Sequence, residues 1–172
     1  MERGRRPGAA MNPFRVRVEK DYTVFSAGHF ITYEGHLCEA LHGHNYRVAA
    51  AFEGPLDENF YVLDFTRIKR LLKTVVDRLD HRMLLPTESE RVAVRQDGRE
   101  IIATYQDRRY VFPASDVVLL PIPNTTAEML ARWIAGQIEA LLTPAEQAAA
   151  RVIEVEVEES FGQCAVYRQE RR

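Results

Sequence analysis

Three of the chain's five histidines, one of its two cysteines and a glutamate fall within residues 36–46, HLCEALHGHNY. His42 and His44 are separated by one residue, and in a strand such side chains share a face. Both imidazoles would then project to one spot from a rigid support, which is half of a metal site. His29 is the best third ligand, because it ends the preceding strand and that strand pairs with the second as a long hairpin. Three neutral imidazoles suit zinc, with a fourth position open to water or substrate. An H-x-H pair alone fits a packed core or a solvated strand equally well. His29, Cys38 and the flanking glycines turn the reading toward metal.

Cys38 has three readings: a fourth zinc ligand, a small buried apolar group, or a nucleophile or base. Beside a dication in a polar loop its thiol pKa would fall, favouring thiolate. Glu39 is either solvated surface or a second potential base. Asp80 and His81 follow a helix, where an imidazole can simply answer the helix dipole. Alternatively the carboxylate fixes the imidazole tautomer while the imidazole relays protons. Glu159 is placed by parity. Ile153, Val155 and Val157 alternate with Glu154, Glu156 and Glu158, so Glu159 falls on the apolar, inward side if the strand continues. A buried carboxylate needs partners, and a ligand with adjacent N–H donors would supply them. If the strand has already ended, Glu159 is solvated.

These groups need elements to hold them. Phe14, Val16 and Val18 alternate with charged residues, a half-buried strand that resumes over 22–27. Another strand puts His42, His44, Tyr46, Val48, Ala50 and Phe52 on one face. YVLDF (61–65) reads as a short extended piece. Phe65, Ile68, Leu71, Leu72, Val75, Val76 and Leu79 draw one stripe down a helix. Residues 86–122 read as a small antiparallel β excursion, with a hairpin signal at Asp97-Gly98. Thr125 and Glu128 have capping-box spacing at the head of a second helix, which Pro144 ends, although EQAAAR can add a turn. Strands over 153–159 and 165–167 close the chain. The order β-β-α-(β insertion)-α-β-β predicts an α+β fold, an antiparallel sheet with two helices on one face.

At 172 residues the chain is one domain of ordinary size. Hydrophobic residues make up 46% and the net charge is −2, so no global basic field attracts nucleic acid or a membrane. The expected partners are small molecules or further copies of the chain. Two cysteines are too few for a disulfide scaffold, which points to a reducing, cytoplasmic compartment. No apolar run approaches membrane-helix length. The basic N-terminus lacks the apolar core of a signal peptide. Residues 1–12 read as a loose tail, with Met11 an alternative start, and 13–172 as the single domain.

Together these pieces resemble the 6-pyruvoyl-tetrahydropterin synthase / 6-carboxytetrahydropterin synthase family. The matching stretches are FSAGHF (25–30), CEALHGHNYRV (38–48), VLDFTRIK (62–69), LDH (79–81), NTTAEMLARWI (124–134) and VEVEES through AVYR (155–168), in family order. Residues 86–122 depart from the pattern, because the family usually has a short connection there. The resemblance implies the T-fold and hexamers whose sites lie at subunit interfaces. It implies zinc on His29, His42 and His44, proton transfer by Cys38, Asp80 and His81, and pterin anchoring by Glu159, with Thr126 a second contact.

The implied substrate is 7,8-dihydroneopterin triphosphate. Queuosine-type members lose triphosphate and acetaldehyde to give 6-carboxy-5,6,7,8-tetrahydropterin, and biopterin-type members stop at 6-pyruvoyl-tetrahydropterin. The three residues between Cys38 and His42 resemble the queuosine type. Glu39 resembles the folate-type subgroup, which cleaves the side chain to 6-hydroxymethyl-dihydropterin. The expectation is a zinc lyase of queuosine-type output with Cys38 as principal base. A pterin-binding T-fold module without turnover is the reading from another class.

Overall fold

The computed structural model describes residues 14–171, so the tail read over 1–12, and with it Met11, lies outside the described residues. Alternating side chains build the two strands that carry the site. β1 (Phe14–His29) is followed by the short strands β2 (Thr32–Tyr33) and β3 (Leu37–Cys38), and then by β4 (His42–Gly54). β1 and β4 pair antiparallel from Phe14 against Gly54 to His29 against His42, with a bulge between Glu19 and Val24. Because antiparallel partners share a face, the pairs Phe25/Tyr46, Ala27/His44 and His29/His42 all point inward. Ser26/Asn45 and Gly28/Gly43 point outward.

Residues 61–64 form no strand. They bend, and Asp64 caps α1 (Phe65–Val76) by accepting the Arg67 amide at 2.9 Å. The buried stripe Ile68, Leu71, Leu72, Val75 and Val76 packs on the sheet. β5 (Arg82–Pro86) follows, and then β6 (Ala93–Asp97), β7 (Glu100–Tyr105) and β8 (Arg108–Pro113). A 3-10 turn at Ala114–Asp116 leads into β9 (Val117–Leu120). The second helix is α2 (Ala127–Leu141), capped by the Thr126 side chain rather than by Thr125. Thr125 is drawn into the site instead. After α2, Thr143 and Glu146 form a capping box on a short α3 (Pro144–Ala149), so EQAA extends a third helix rather than the second. β10 (Val152–Ser160) and β11 (Gln163–Glu170) complete the chain.

The main sheet has the order β11-β10-β4-β1-β5-β9. The antiparallel expectation holds for β11, β10, β4 and β1, whereas β5 runs parallel to β1 and β9 parallel to β5. RMLLP and VVLL are short apolar runs without alternation, as parallel strands covered on both faces tend to be, so a period-2 reading passes over them. The excursion is correspondingly smaller than 86–122. Its antiparallel sheet comprises β6, β7 and β8, while Pro86 and Val117–Leu120 belong to the main sheet.

Two cores result. The larger lies between the inner sheet face and helices α1 and α2. The smaller joins the excursion to the end of β1, with Phe30, Met83, Leu85, Ile101, Tyr105 and Cys38 in contact.

Candidate active site

Where β1 and β4 end together, His29, His42 and His44 offer one ligand atom apiece within 4.8 Å of one another. Ring centroids lie 4.7 Å apart for His29 and His42, and 4.8 Å apart for His42 and His44. Each Nδ1 is tied back to the protein. His29 Nδ1 lies 3.0 Å from the Thr125 carbonyl and His42 Nδ1 lies 2.8 Å from the Ala40 carbonyl. A carbonyl only accepts, so both Nδ1 atoms carry protons and both Nε2 lone pairs are free. Ser160 Oγ sits 3.4 Å from His44 Nδ1 and can do the same for the third ring. This outer bonding fixes tautomers and ring angles as in metal centres.

His29 Nε2 is buried without a hydrogen-bond partner among the described residues. Its nearest carboxylate oxygen, on Glu159, is 3.4 Å away. An orphaned buried nitrogen is costly, and a metal ion would satisfy it. The donor set therefore fits zinc. Burial pulls the His29 pKa below its ordinary value, outweighing the Thr125 bond and the nearby Glu159. The unfolded chain thus takes up this proton near pH 6.5 while the folded chain resists it. Stability must fall as pH drops below that point. In chelator-treated protein the denaturation midpoint is expected to decline from pH 7 toward pH 5, and His29→Ala should flatten that slope. Urea titrations at several pH values check it.

Glu159 faces inward, as parity predicts. The Tyr46 hydroxyl donates to its Oε1 at 3.3 Å, and His44 Nε2 lies 3.8 Å from the same oxygen. Tyr46 is itself fixed by stacking on Phe25 with centroids 4.7 Å apart, and burial, first of all, raises its pKa. Glu159 and Thr126 line one cavity of about 350 Å³ with Ile31, Gln163 and Cys164.

The cysteine–glutamate pair is arranged against the expectation that the thiol faces the histidines. Cys38 is buried in the smaller core, 8% exposed, and its Sγ reaches no further than the Glu39 carbonyl at 3.5 Å. Burial raises the thiol pKa, and the Arg108 guanidinium offsets this only in part. The adjacent Glu39 points the other way, with Oε2 3.8 Å from His42 Nε2 and accepting the Ile31 amide at 3.4 Å. Neighbours in an extended segment alternate sides, so one of the two must turn from the metal centre, and here it is Cys38.

Asp80 and His81 are paired at 3.0 Å. The Ser26 amide donates to Asp80 Oδ1 at 2.8 Å, and this bond, ahead of the contacts with His81, holds the carboxyl below its usual range. Ser26 lies on the outward face of the hairpin. His81, 82% exposed at its side chain, opens with Ser26, Asn45, His42 and His44 onto a cavity of about 660 Å³. No hydrogen bond or ion pair among the described residues joins Asp80 or His81 to the three histidines or to Cys38. Within one chain His81 shares this cavity with His42 and His44 but makes no direct bond to the histidine centre.

Thr125, Tyr46, Ser160 and Arg108 complete the surroundings; alternation places Tyr46 on the histidine face and spacing marks Thr125 only as a helix cap, while Ser160 and Arg108 carry no signal of type or spacing. The signal for Thr125 was positional only, since it lies beside the helix cap.

A family model described as 6-pyruvoyl tetrahydropterin synthase matches residues 17–170. The chain belongs to that family. A Methanocaldococcus jannaschii protein, provisionally named 6-carboxy-5,6,7,8-tetrahydropterin synthase, is 38% identical over 146 residues, 84% of this chain and 88% of that protein. Among solved structures, Plasmodium falciparum 6-pyruvoyl tetrahydropterin synthase is 31% identical with a TM-score of 0.86, covering 92% of this chain and 99% of its own. A Plasmodium vivax 6-pyruvoyltetrahydropterin synthase, solved with a catalytic glutamate changed to alanine, is 30% identical with a TM-score of 0.85, covering 92% and 98%. The same enzyme is also known with that glutamate changed to cysteine. The T-fold and the α+β class follow from these likenesses. As a 6-pyruvoyl tetrahydropterin synthase family member the chain is a lyase of the tetrahydropterin-synthase type acting on a small molecule, which answers the reading as a module without turnover. No helix among the described residues is long and apolar enough to cross a membrane.

Proposed function

We propose that this chain is a zinc-dependent lyase acting on 7,8-dihydroneopterin triphosphate, with Glu39 as the base in the conformation seen here. The product of that arrangement is 6-hydroxymethyl-dihydropterin. The observation that carries this reading is the position of the Glu39 carboxylate, 3.8 Å from His42 Nε2, while the Cys38 thiol is buried away from it. The catalytic glutamate of the Plasmodium vivax relative supports it. Metal held by His29, His42 and His44 would polarise the substrate's side-chain oxygens as a Lewis acid. Cleaving a carbon–carbon bond beside a hydroxyl begins with loss of the hydroxyl proton, which Glu39 Oε2 would take; the broken bond's electrons pass to the pterin-side carbon, which is reprotonated, and the other fragment leaves as an aldehyde that carries the triphosphate. Glu159, braced by Tyr46, would anchor the pterin through paired N–H donors, with Thr126 alongside.

In this reading the Asp80–His81 pair, which makes no direct bond to the histidines of its own chain, serves the metal centre of a neighbour. Assembly as a hexamer with interfacial sites provides this, and β11 and β9, the edge strands of the main sheet, offer unpaired backbone for it. The setting is cytoplasmic.

A second reading has its own support. The name of the Methanocaldococcus jannaschii relative favours 6-carboxy-5,6,7,8-tetrahydropterin, the queuosine precursor, formed with acetaldehyde and with Cys38 as base. Incubating zinc-loaded protein with dihydroneopterin triphosphate and identifying products by mass separates the two. Predominant 6-hydroxymethyl-dihydropterin supports Glu39, predominant 6-carboxy product with acetaldehyde supports Cys38, and the absence of any pterin product contradicts both.

A further inference from the structure

The excursion β6–β8 grips the segment that carries Cys38 and Glu39. Tyr105, the last residue of β7, pairs with Arg108, the first of β8, so the two form one rung of that sheet. From this rung Tyr105 Oη donates to the His36 carbonyl at 2.6 Å. Arg108 Nη1 donates to the Cys38 carbonyl at 3.0 Å and to the Glu39 carbonyl at 2.9 Å. On the opposite side β2 holds the same segment, with Thr32 against Cys38, Tyr33 against Leu37, and the Glu39 amide donating to Ile31 at 3.0 Å. The backbone over 36–39 is thus fixed from both flanks. With the backbone fixed, alternation leaves each side chain one direction, Cys38 into the smaller core and Glu39 toward His42. Bringing the thiol to the metal centre would require rotating the peptide groups whose carbonyls Arg108 holds.

We infer that Arg108, seconded by Tyr105, is a positioning residue that selects Glu39 over Cys38 at the metal centre and thereby sets which pterin product forms. This rests on the pterin-lyase reading for its product consequence but not for its conformational one. Arg108 touches neither the histidines nor the substrate cavities. It holds two carbonyls, beside its direct effect on the Cys38 thiol, and charge-assisted hydrogen bonds of this kind are among the stronger ones a side chain can make. The excursion thereby acquires a role as the frame of this latch.

Alkylation of Cys38 by iodoacetamide, mapped by mass spectrometry, reads the conformation without any turnover when each variant is compared with the wild type. Freeing the two carbonyls in Arg108→Ala is expected to raise the Cys38 rate about tenfold or more over wild type, against the opposing effect of losing the guanidinium that lowers the thiol pKa. Arg108→Lys, which keeps a cationic donor, should restore most of the slow rate. Bound zinc per chain should stay at the wild-type value, because β1 and β4 build the histidine centre. If Arg108→Ala loses its metal, Tyr105→Phe, which removes one hydroxyl and keeps the packing, takes its place with a smaller acceleration expected. In the product assay Arg108→Ala should shift the ratio from 6-hydroxymethyl toward 6-carboxy product. A Cys38 rate within about twofold of wild type in both Arg108→Ala and Tyr105→Phe, the second of which keeps the guanidinium, overturns the inference. Faster alkylation without any product from the wild type would retain the latch and remove the lyase reading.

Discussion

His29→Ala and His44→Ala are each expected to abolish zinc binding and to lower turnover by about a thousandfold or more, the loss of several kcal/mol of transition-state stabilisation. The two substitutions should differ in a second respect. His29 is buried and bonded to the Thr125 carbonyl, which the Thr125 hydroxyl's bond to Phe30 holds in place. Its truncation leaves a cavity and an unpaired carbonyl, so His29→Ala should also lower the unfolding midpoint. His44 is half-buried, with only long contacts to Ser160 and Glu159, and its removal should leave stability nearly unchanged. Metal analysis by mass spectrometry and a urea titration check both. A variant that keeps wild-type metal content would show that its histidine is not a ligand.

His81→Ala should reduce turnover about a hundredfold or more, the usual scale for losing a general acid–base group. The loss should be reversible in trans. If one chain supplies Asp80 and His81 and its neighbour the histidine centre, His81→Ala and His44→Ala are inactive alone and complementary together. Random mixing of the two variants leaves about a quarter of the sites with both halves intact, so about a quarter of wild-type turnover should return. Unmixing and remixing through mild denaturation, followed by the product assay, reads this. If no activity returns in mixtures that demonstrably contain both variants, the site lies within one chain.

Much of this architecture is legible in the sequence, for a physical reason. A long strand repeats its burial pattern every two residues, so the convergence of His42 with His44 and the inward turn of Glu159 follow from parity alone. The α1 stripe is legible for the same kind of reason, since each turn repeats the last. Short parallel strands lack such repetition, and β5 and β9 therefore leave only apolar runs. The cap of α2 falls one residue after the capping-box position because Thr125 is recruited to Phe30 and His29, a tertiary demand that local spacing does not encode. Cys38 shows the same limit. Its identity marks it as a candidate base, but its direction is set by Tyr105 and Arg108, far away in the chain. The exposed position of His81, without a bond to the metal centre, likewise depends on how β5 docks on β1.

The central claim is that Glu39, rather than Cys38, works at the histidine centre in this protein. The measurement that tests it most directly compares zinc-loaded Glu39→Gln and Cys38→Ala on dihydroneopterin triphosphate, with formation of 6-hydroxymethyl-dihydropterin followed by mass. Glu39→Gln keeps the size of the side chain and removes its basicity, so the rate is expected to fall about a hundredfold or more with zinc retained. Cys38→Ala should keep the rate within about threefold, since the thiol only packs in the smaller core. The reverse pattern, a Cys38→Ala variant without product beside a Glu39→Gln variant that turns over normally, would contradict the account.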